Sequence, residues 1–367
     1  MKHNTNIPIV DSHMHIWREQ PLEDTVEFMK WVLGRYDYET ISLLALVDHW
    51  RPDPLKSTMQ NLKVMYLKKA LAPKVYAYAH PHLRGLGPED RGEYLLNQAK
   101  YYMDCGFDGI KLHYAHRTYT PEHPHIPLSD PRQEPFFAWL EQEQIPVVIH
   151  LTAPETAFCP DISLVPANQR KFYSGKPWHP ELSLEYLLKD FTDMMDKFPN
   201  LRITVAHFGF ITWHMDWCEK WLEKYPNLSF DLCPSLFMYY DFQNNPTAWR
   251  QFFLKYSDRI IYGTDIGSNN KDAQREEPDQ LVNLVRGFFD QTEPIEAFND
   301  VFYPIPLPED VLRKLFKDNV MNYLGNRPPR QPDYGRMAAE LELEASLGIP
   351  SALAAENLEK MRVAFLG

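Results

Sequence analysis

The sequence predicts an α/β fold, a (β/α)8 TIM barrel with a helical appendage at its C-terminus. Three observations predict it. Eight short β-rich runs alternate with eight longer amphipathic segments. The alternation fills roughly 280 residues, the size of one such barrel. Several of the strand candidates end in His, Lys or Asp, at the end of the strand where this fold keeps its chemistry.

The elements follow in order. The first strand candidate, residues 7–16 (IPIVDSHMHI), precedes a helix near 24–35. The second, 42–50 (SLLALVDHW), precedes a helix near 55–72, and the third, 74–82 (KVYAYAHPH), one near 88–104. Strand 4, 107–114 (FDGIKLHY), leads to a helix near 131–144. Strand 5, 145–151 (IPVVIHL), reaches its helix near 183–198 only after a long connection. Strand 6, 201–209 (LRITVAHFG), precedes a helix ending near 225. Strand 7, 228–235 (LSFDLCPS), precedes one near 247–256, and strand 8, 259–267 (RIIYGTDIG), one near 278–290. An open doubly wound sheet also alternates in this way. It usually has fewer strands, and no glycine-rich turn follows the first strand here.

Residues 1–325 are expected to form the barrel, with a closing helix over 308–325. NRPPRQP at 326–332 reads as a linker, and 336–366 as one or two helices packing on the barrel or on a partner subunit. A homodimer is the expected assembly. The connections 115–129 and 152–182 exceed ordinary loop length and are expected to act as lids over the C-terminal mouth.

The net charge of −12 supplies no basic face, so nucleic acid is not an expected partner. Arg51, Arg84, Arg117 and Arg275 are candidates to line a cleft for an anionic small molecule. Cys105, Cys159, Cys218 and Cys233 form no C-x-x-C pair and read as free thiols. The N-terminus lacks an apolar signal region, and no apolar run reaches the about 18 residues that a membrane span needs. A soluble, cytoplasmic protein without membrane partners is expected.

Polar residues fall at strand ends in a way that suggests a metal site. Strand 1 ends in His13 and His15, strand 4 carries Lys111 and His113, strand 5 ends in His150, strand 6 in His207 and strand 8 in Asp265. Residues two apart on a strand share a face, so His13 and His15 both point into the barrel mouth. Imidazole and carboxylate suit a borderline divalent ion such as zinc, with manganese or iron also accepted. Such an ion lowers the pKa of water toward about 7. His207 is placed to manage the proton. A single H-x-H is a weak signal, and His80 and His82 show the same spacing without the same support. What strengthens the case is that His, His, His and Asp fall at the ends of strands 1, 5, 6 and 8 on one rim.

DSHMHIW, GIKLH, VVIHLTA, TVAHFG and YGTDIG, in this order, resemble the amidohydrolase superfamily. More narrowly they resemble the branch that includes aminocarboxymuconate semialdehyde decarboxylase and several lactone hydrolases. The resemblance covers roughly residues 7–325. It implies metal ligation by His13, His15, His150 and Asp265, with Asp265 also taking the proton from the attacking water. It implies a catalytic or water-orienting role for His207. Lys111 is expected either as a plain amine near the substrate beside one metal, or, if carboxylated, as a bridge to a second metal. An ion pair of Lys111 with a rim carboxylate, such as Asp11, is the structural alternative. Strand 5 continues as HLTAPETAF rather than the His-Pro-Arg of the decarboxylases, and the insertion at 152–182 is long.

Arg51 is a candidate partner for a substrate carboxylate, and Trp17, His113 and Tyr114 for the substrate wall; ordinary packing competes for each. Trp213, Trp217 and Trp221, at helical spacing, read as a buried helix face. Cys233 reads as a wall residue rather than a nucleophile. The first functional expectation is hydrolysis of a lactone, ester or amide. The second is non-oxidative decarboxylation of an aromatic or unsaturated acid. A non-catalytic binding barrel is the third.

Overall fold

The computed structural model describes residues 5–46, 58–82, 89, 91–114, 125–164, 179–268, 276–348 and 351–367. The strands of the main sheet are β1 (Ile9–His15), β2 (Tyr38–Leu44), β3 (Val75–Ala79), β4 (Gly109–His113), β5 (Val147–His150), β6 (Ile203–Val205), β7 (Leu228–Asp231), β8 (Ile260–Ile261) and β9 (Ile266–Gly267); β10 (Ile295–Ala297) and β11 (Asp300–Phe302) form a separate antiparallel hairpin. The main sheet has the order β8-β7-β6-β5-β4-β3-β2-β1-β9, and every pairing in it is parallel. β8 and β9 are two pieces of one eighth strand, interrupted at residues 262–265. The first piece pairs with β7 and the second with β1. Ser12 N donates to Tyr262 O at 3.1 Å and Asp265 N to His13 O at 2.8 Å across the interruption, so the sheet closes on itself. The fold is a TIM barrel with C-terminal helices.

Alternation along the strands divides the barrel into a floor and a mouth. Inward-facing Val10, Tyr76, Tyr78, Val148 and Ile261 pack together in the lower half, and Val320, Tyr323 and Leu324 of the closing helical segment plug it from below. The ring of Tyr78 passes over β4 where Gly109 lies; a Cβ there would meet Tyr78 Cε1 at 2.3 Å. Above this layer the inward residues turn polar. Outward-facing residues such as Ile9, Ile41, Ala77, Ile110, Ile149 and Ile203 join the larger core under the helices.

Several elements differ from the sequence expectation, the interrupted eighth strand among them. β2 starts at Tyr38, four residues early, because its first turn of chain carries the polar Glu39 and Thr40 at the barrel's lower rim. β6 ends at Val205, where the chain leaves extended geometry: His207, Phe208 and Gly209 have φ of 55°, 50° and 61°. Two helices rather than one follow β7, Leu236–Asn244 and Pro246–Lys255, since Pro246 starts a new helix at its N1 position.

The C-terminal segment runs back over the barrel's flank. Arg327 Nη1 reaches Asp108 Oδ1 at 3.3 Å, and Arg330 N donates to the same oxygen at 2.8 Å. Helix Ala338–Ser346 then brings Glu340 to His82, 2.8 Å from its Nε2. Helix Ala352–Leu366 brings the fully buried Asn357 to the loop after β1. Its Nδ2 donates to Glu19 Oε1 at 2.8 Å and to Gln20 O at 2.9 Å. Glu19 is also paired with the buried Lys63 at 2.6 Å. Among the described residues no helix is long and apolar enough to cross a membrane.

Candidate metal centre

β1 carries Asp11, His13 and His15, and its register breaks between Asp11 and Met14, so the two-residue period places only His13 and His15 together on the inward face. All three are buried. His13 Nδ1 meets Asp231 Oδ2 at 2.8 Å, and His15 Nδ1 meets the carbonyl of Leu44 at 2.8 Å. Carboxylate and carbonyl only accept, so each ring carries its proton on Nδ1 and turns a bare Nε2 the other way. The two Nε2 atoms face each other at 3.0 Å. Asp265 Oδ1 lies 3.4 Å from His15 Nε2 and 3.9 Å from His13 Nε2.

Two bare imidazole nitrogens and a carboxylate oxygen converging on one point form a donor set for a divalent ion. Without a cation their lone pairs repel, so the residues present fit the group. Burial pushes both His13 and His15 well below the ordinary imidazole range, and the neighbouring Lys111 ammonium adds to it. Neutral rings are what ligation requires. Asp231 and Leu44 O orient the two rings from behind.

The backbone at this centre is strained. Asp265 has φ 59° and His207 φ 55°, in the left-handed region that disfavours side chains. Such residues cost of order 1–3 kcal/mol each and persist where the surroundings hold them. Here Asp265 is held by its N–H to His13 O. His207 is held by its N–H to Asp231 Oδ1, at 2.7 Å.

The other expected site residues are placed as follows. Lys111 is buried, with Nζ 3.4 Å from His13 Nε2. Burial pulls it down to about 8, against the opposing pull of Asp231, Asp265 and Cys233. The alternative pairing of Lys111 with Asp11 is not seen. Asp11 instead takes Thr264 Oγ1 at 2.6 Å and His13 N at 2.9 Å, and burial raises it to about 7. His207 packs 5.4 Å from the His13 ring, and its Nδ1 donates to Cys233 O at 3.3 Å. Burial holds His207 down to about 4.

His150 stands one ring further out, with its centroid 5.0 Å from His207, and stacks on His113 at 4.5 Å. The Trp17 ring lies 4.7 Å from His15. Its edge occupies the space above Gly267, where a Cβ would fall 1.4 Å from Cδ1. Tyr114 turns toward the helical layer, where its hydroxyl donates to Asp190 and lies 2.8 Å from His125 Nε2. Arg51, with His49, Trp50, Arg84, Arg117 and Arg275, lies outside the described residues, as do 115–124 and 165–178 of the two expected lids. His80 and His82 do not share a donor set: His80 Nδ1 bonds Pro81 O, and His82 joins Glu340 and Glu344.

Sequence reasoning missed Asp231 and Thr264, named Asp11 only as a partner for Lys111, and undervalued Cys233. The thiol of Cys233 belongs with His13 and Asp265 to a group whose ligand atoms all lie within 4.8 Å of one another. Asp231 and Cys233 form a period-two pair on β7 and its extension.

A family model described as amidohydrolase matches residues 10–321, nearly the whole barrel. The chain belongs to the amidohydrolase family. Among solved structures, this amidohydrolase is similar to an uncharacterised TIM-barrel protein of Bordetella bronchiseptica. That match has 14% identity and a TM-score of 0.56, and it covers 87% of this chain and 99% of the other. It is also similar to 2,6-dihydroxybenzoate decarboxylase from Rhizobium, with 16% identity, a TM-score of 0.51 and the same coverage. At these identities the likeness is one of fold. No curated protein sequence matches the chain.

Proposed function

We propose that this amidohydrolase is a metal-dependent hydrolase that cleaves a lactone, ester or amide bond in a small organic substrate. The observation that carries the reading is the pair of bare Nε2 atoms of His13 and His15, 3.0 Å apart with Asp265 Oδ1 beside them. His13, His15 and Asp265 would hold the ion, with His150 as a further expected ligand, and zinc, manganese and iron all suit these donors. When bound, a divalent ion supplies Lewis acidity and makes water acidic enough to attack at neutral pH.

The chain's own residues do the rest. The Asp265 side chain is 27% exposed, against 1% and 3% for the two histidines, so it is the member that faces incoming water and substrate. Its carboxylate takes the water's proton. Lys111 Nζ lies 3.4 Å from His13 Nε2, where an ammonium stabilises the developing negative charge, and the proton held by Asp265 passes on to the leaving group. His207 holds its proton at Nδ1 against Cys233 O, so its Nε2 accepts a hydrogen bond and orients the nucleophile. Asp231 keeps His13 in the required tautomer.

The test is turnover of a panel of lactones, esters and amides by wild type, His13→Ala and Asp265→Asn, with product analysis that includes CO2. Hydrolysis lost in both variants supports the reading. Full activity in a metal-free preparation overturns it, and CO2 release without hydrolysis replaces it with decarboxylation.

A further inference from the structure

The eighth strand breaks between β8 and β9, and Asp265 is the last residue of the break. The chain already leaves the strand path at Tyr262, whose N–H donates to Leu315 O of the closing helical segment at 3.0 Å. Asp265 then stands at φ 59°, with its Oδ1 3.4 Å from His15 Nε2 and 3.9 Å from His13 Nε2. That conformation is disfavoured for a residue with a side chain, so the surroundings must impose it.

The contacts that impose it start from the residue before Asp265. Thr264 is fully buried, and its Oγ1 donates to Asp11 Oδ2 at 2.6 Å. The same oxygen accepts from Ile266 N at 3.3 Å. One hydroxyl therefore ties the amide after Asp265 to the residue before it, a local side-chain turn that competes with extended backbone. Asp11, also fully buried, anchors this clasp to β1. Its Oδ1 accepts from His13 N at 2.9 Å and from Thr264 N at 3.3 Å. The broken strand comes so close to β1 that a Cβ on Gly263 would meet His13 Cβ at 3.0 Å.

A single carboxylate thus holds the backbone of His13 directly and the chain on both sides of Asp265 through Thr264. Two donors that lie at opposite ends of the sequence take their relative placement from it.

We propose that Asp11 and Thr264 are positioning residues: the Thr264 hydroxyl, held by Asp11, curls the chain at Asp265 so that its carboxylate faces the bare Nε2 atoms of His13 and His15. In treating Asp265 as a metal ligand, the inference rests on the metal-hydrolase reading; the conformation of Asp265 does not.

The experiment replaces Thr264 with Val, which keeps the branched shape and removes the hydroxyl, and with Ser, which keeps the hydroxyl. The full-length proteins are loaded with Co2+ and compared by chelator competition and by visible absorption, which reports the donors and geometry around the ion. Thr264→Val is expected to hold the ion about 10–100-fold more weakly, the range for groups that orient metal ligands, and to show an altered cobalt spectrum. Thr264→Ser is expected to restore both. A clasp that only closed the barrel would lower the melting temperature and leave the affinity and spectrum of the folded protein unchanged. Wild-type affinity and spectrum in Thr264→Val therefore overturn the proposal, and so does a loss that Thr264→Ser fails to restore. A crystal structure of the wild type needs no variant to fold. It is expected to show Thr264 Oγ1 bonded to both Asp11 and Ile266 N, with Asp265 at positive φ, and the absence of either feature overturns the proposal. Wild type that takes up no metal removes the hydrolase reading, and the crystal structure then still decides the clasp.

Discussion

His13 donates its Nδ1 proton to Asp231 Oδ2 at 2.8 Å, joining the first and seventh strands across the barrel mouth. The same carboxylate accepts from His207 N at 2.7 Å through its other oxygen. One buried side chain therefore fixes both the tautomer of a proposed ligand and the strained turn that carries the proposed orienting residue.

Asp231→Asn keeps the shape and removes the charge. Groups that orient ligating imidazoles from behind typically change metal affinity or activity by about 10–100-fold. Weaker metal binding of that order is expected in a competitive chelator titration, with the circular dichroism spectrum retained. Wild-type affinity would show that Asp231 does not orient His13.

Asp265→Asn separates chemistry from folding. Asn tolerates the left-handed region, so the residue's φ of 59° is kept at little cost. Loss of a positioned base lowers turnover by about 10²–10⁴-fold. Rate assays on the best substrate of the panel, beside a thermal melt, should show a slow enzyme of near-normal stability.

Stability should fall on the acid side. His80 and His207 are held near 3 and 4, below the ordinary imidazole value of about 6.5. Unfolded, both rings take up protons as pH falls through about 6.5; folded, they do so only near their depressed values. The stability linked to their neutral state is complete above about 6.5 and is lost as pH falls toward those values, by about 1.4 kcal/mol per pH unit for each group. Asp11, raised to about 7, acts oppositely: it is protonated in the fold before it is in the unfolded chain, and so favours the fold as pH falls below 7. His13, His15 and His125 are depressed as well, and Asp231 and Asp241 raised, so depressed imidazoles outnumber raised carboxylates and the melting temperature at pH 5 should lie below that at pH 7. His80→Phe should flatten the slope, and an unchanged slope would contradict the assignment.

Asn357 ties the tail to the active face. Its bonds to Glu19 Oε1 and Gln20 O brace the loop that begins with Trp17, whose ring lies against His15. A hydrogen bond to a charged group is worth about 1.5–3 kcal/mol, so Asn357→Ala should lower the urea midpoint by the equivalent of that amount. An unchanged midpoint would mean that the tail does not brace this loop.

The barrel is legible in the sequence because strand runs and amphipathic segments alternate eight times. Period-two spacing likewise marks His13 and His15 as a pair, and YGTDIG marks Asp265. What escapes the sequence depends on contacts between distant parts of the chain. Asp231 acquires its meaning from a residue 218 positions away, and Asn357 from one 338 positions away. The acceptor that orients His15 is the backbone carbonyl of Leu44, which no side-chain pattern marks. The start of β2 is hidden because Glu39 and Thr40 lie at the solvent-facing lower rim, where strand residues need not be apolar. His207 is expected on a strand, and the left-handed turn that carries it comes from its N–H being drawn to Asp231.

The most direct test of the metal centre is elemental analysis of the purified full-length protein, beside a His13→Ala, His15→Ala double variant. One divalent ion per chain is expected in wild type, with none retained by a double variant that still melts cooperatively. Two ions would place Lys111 as a carboxylated bridge beside the same cluster. Wild type without stoichiometric metal after reconstitution, or a double variant with undiminished metal, would contradict the assignment of His13 and His15 as ligands.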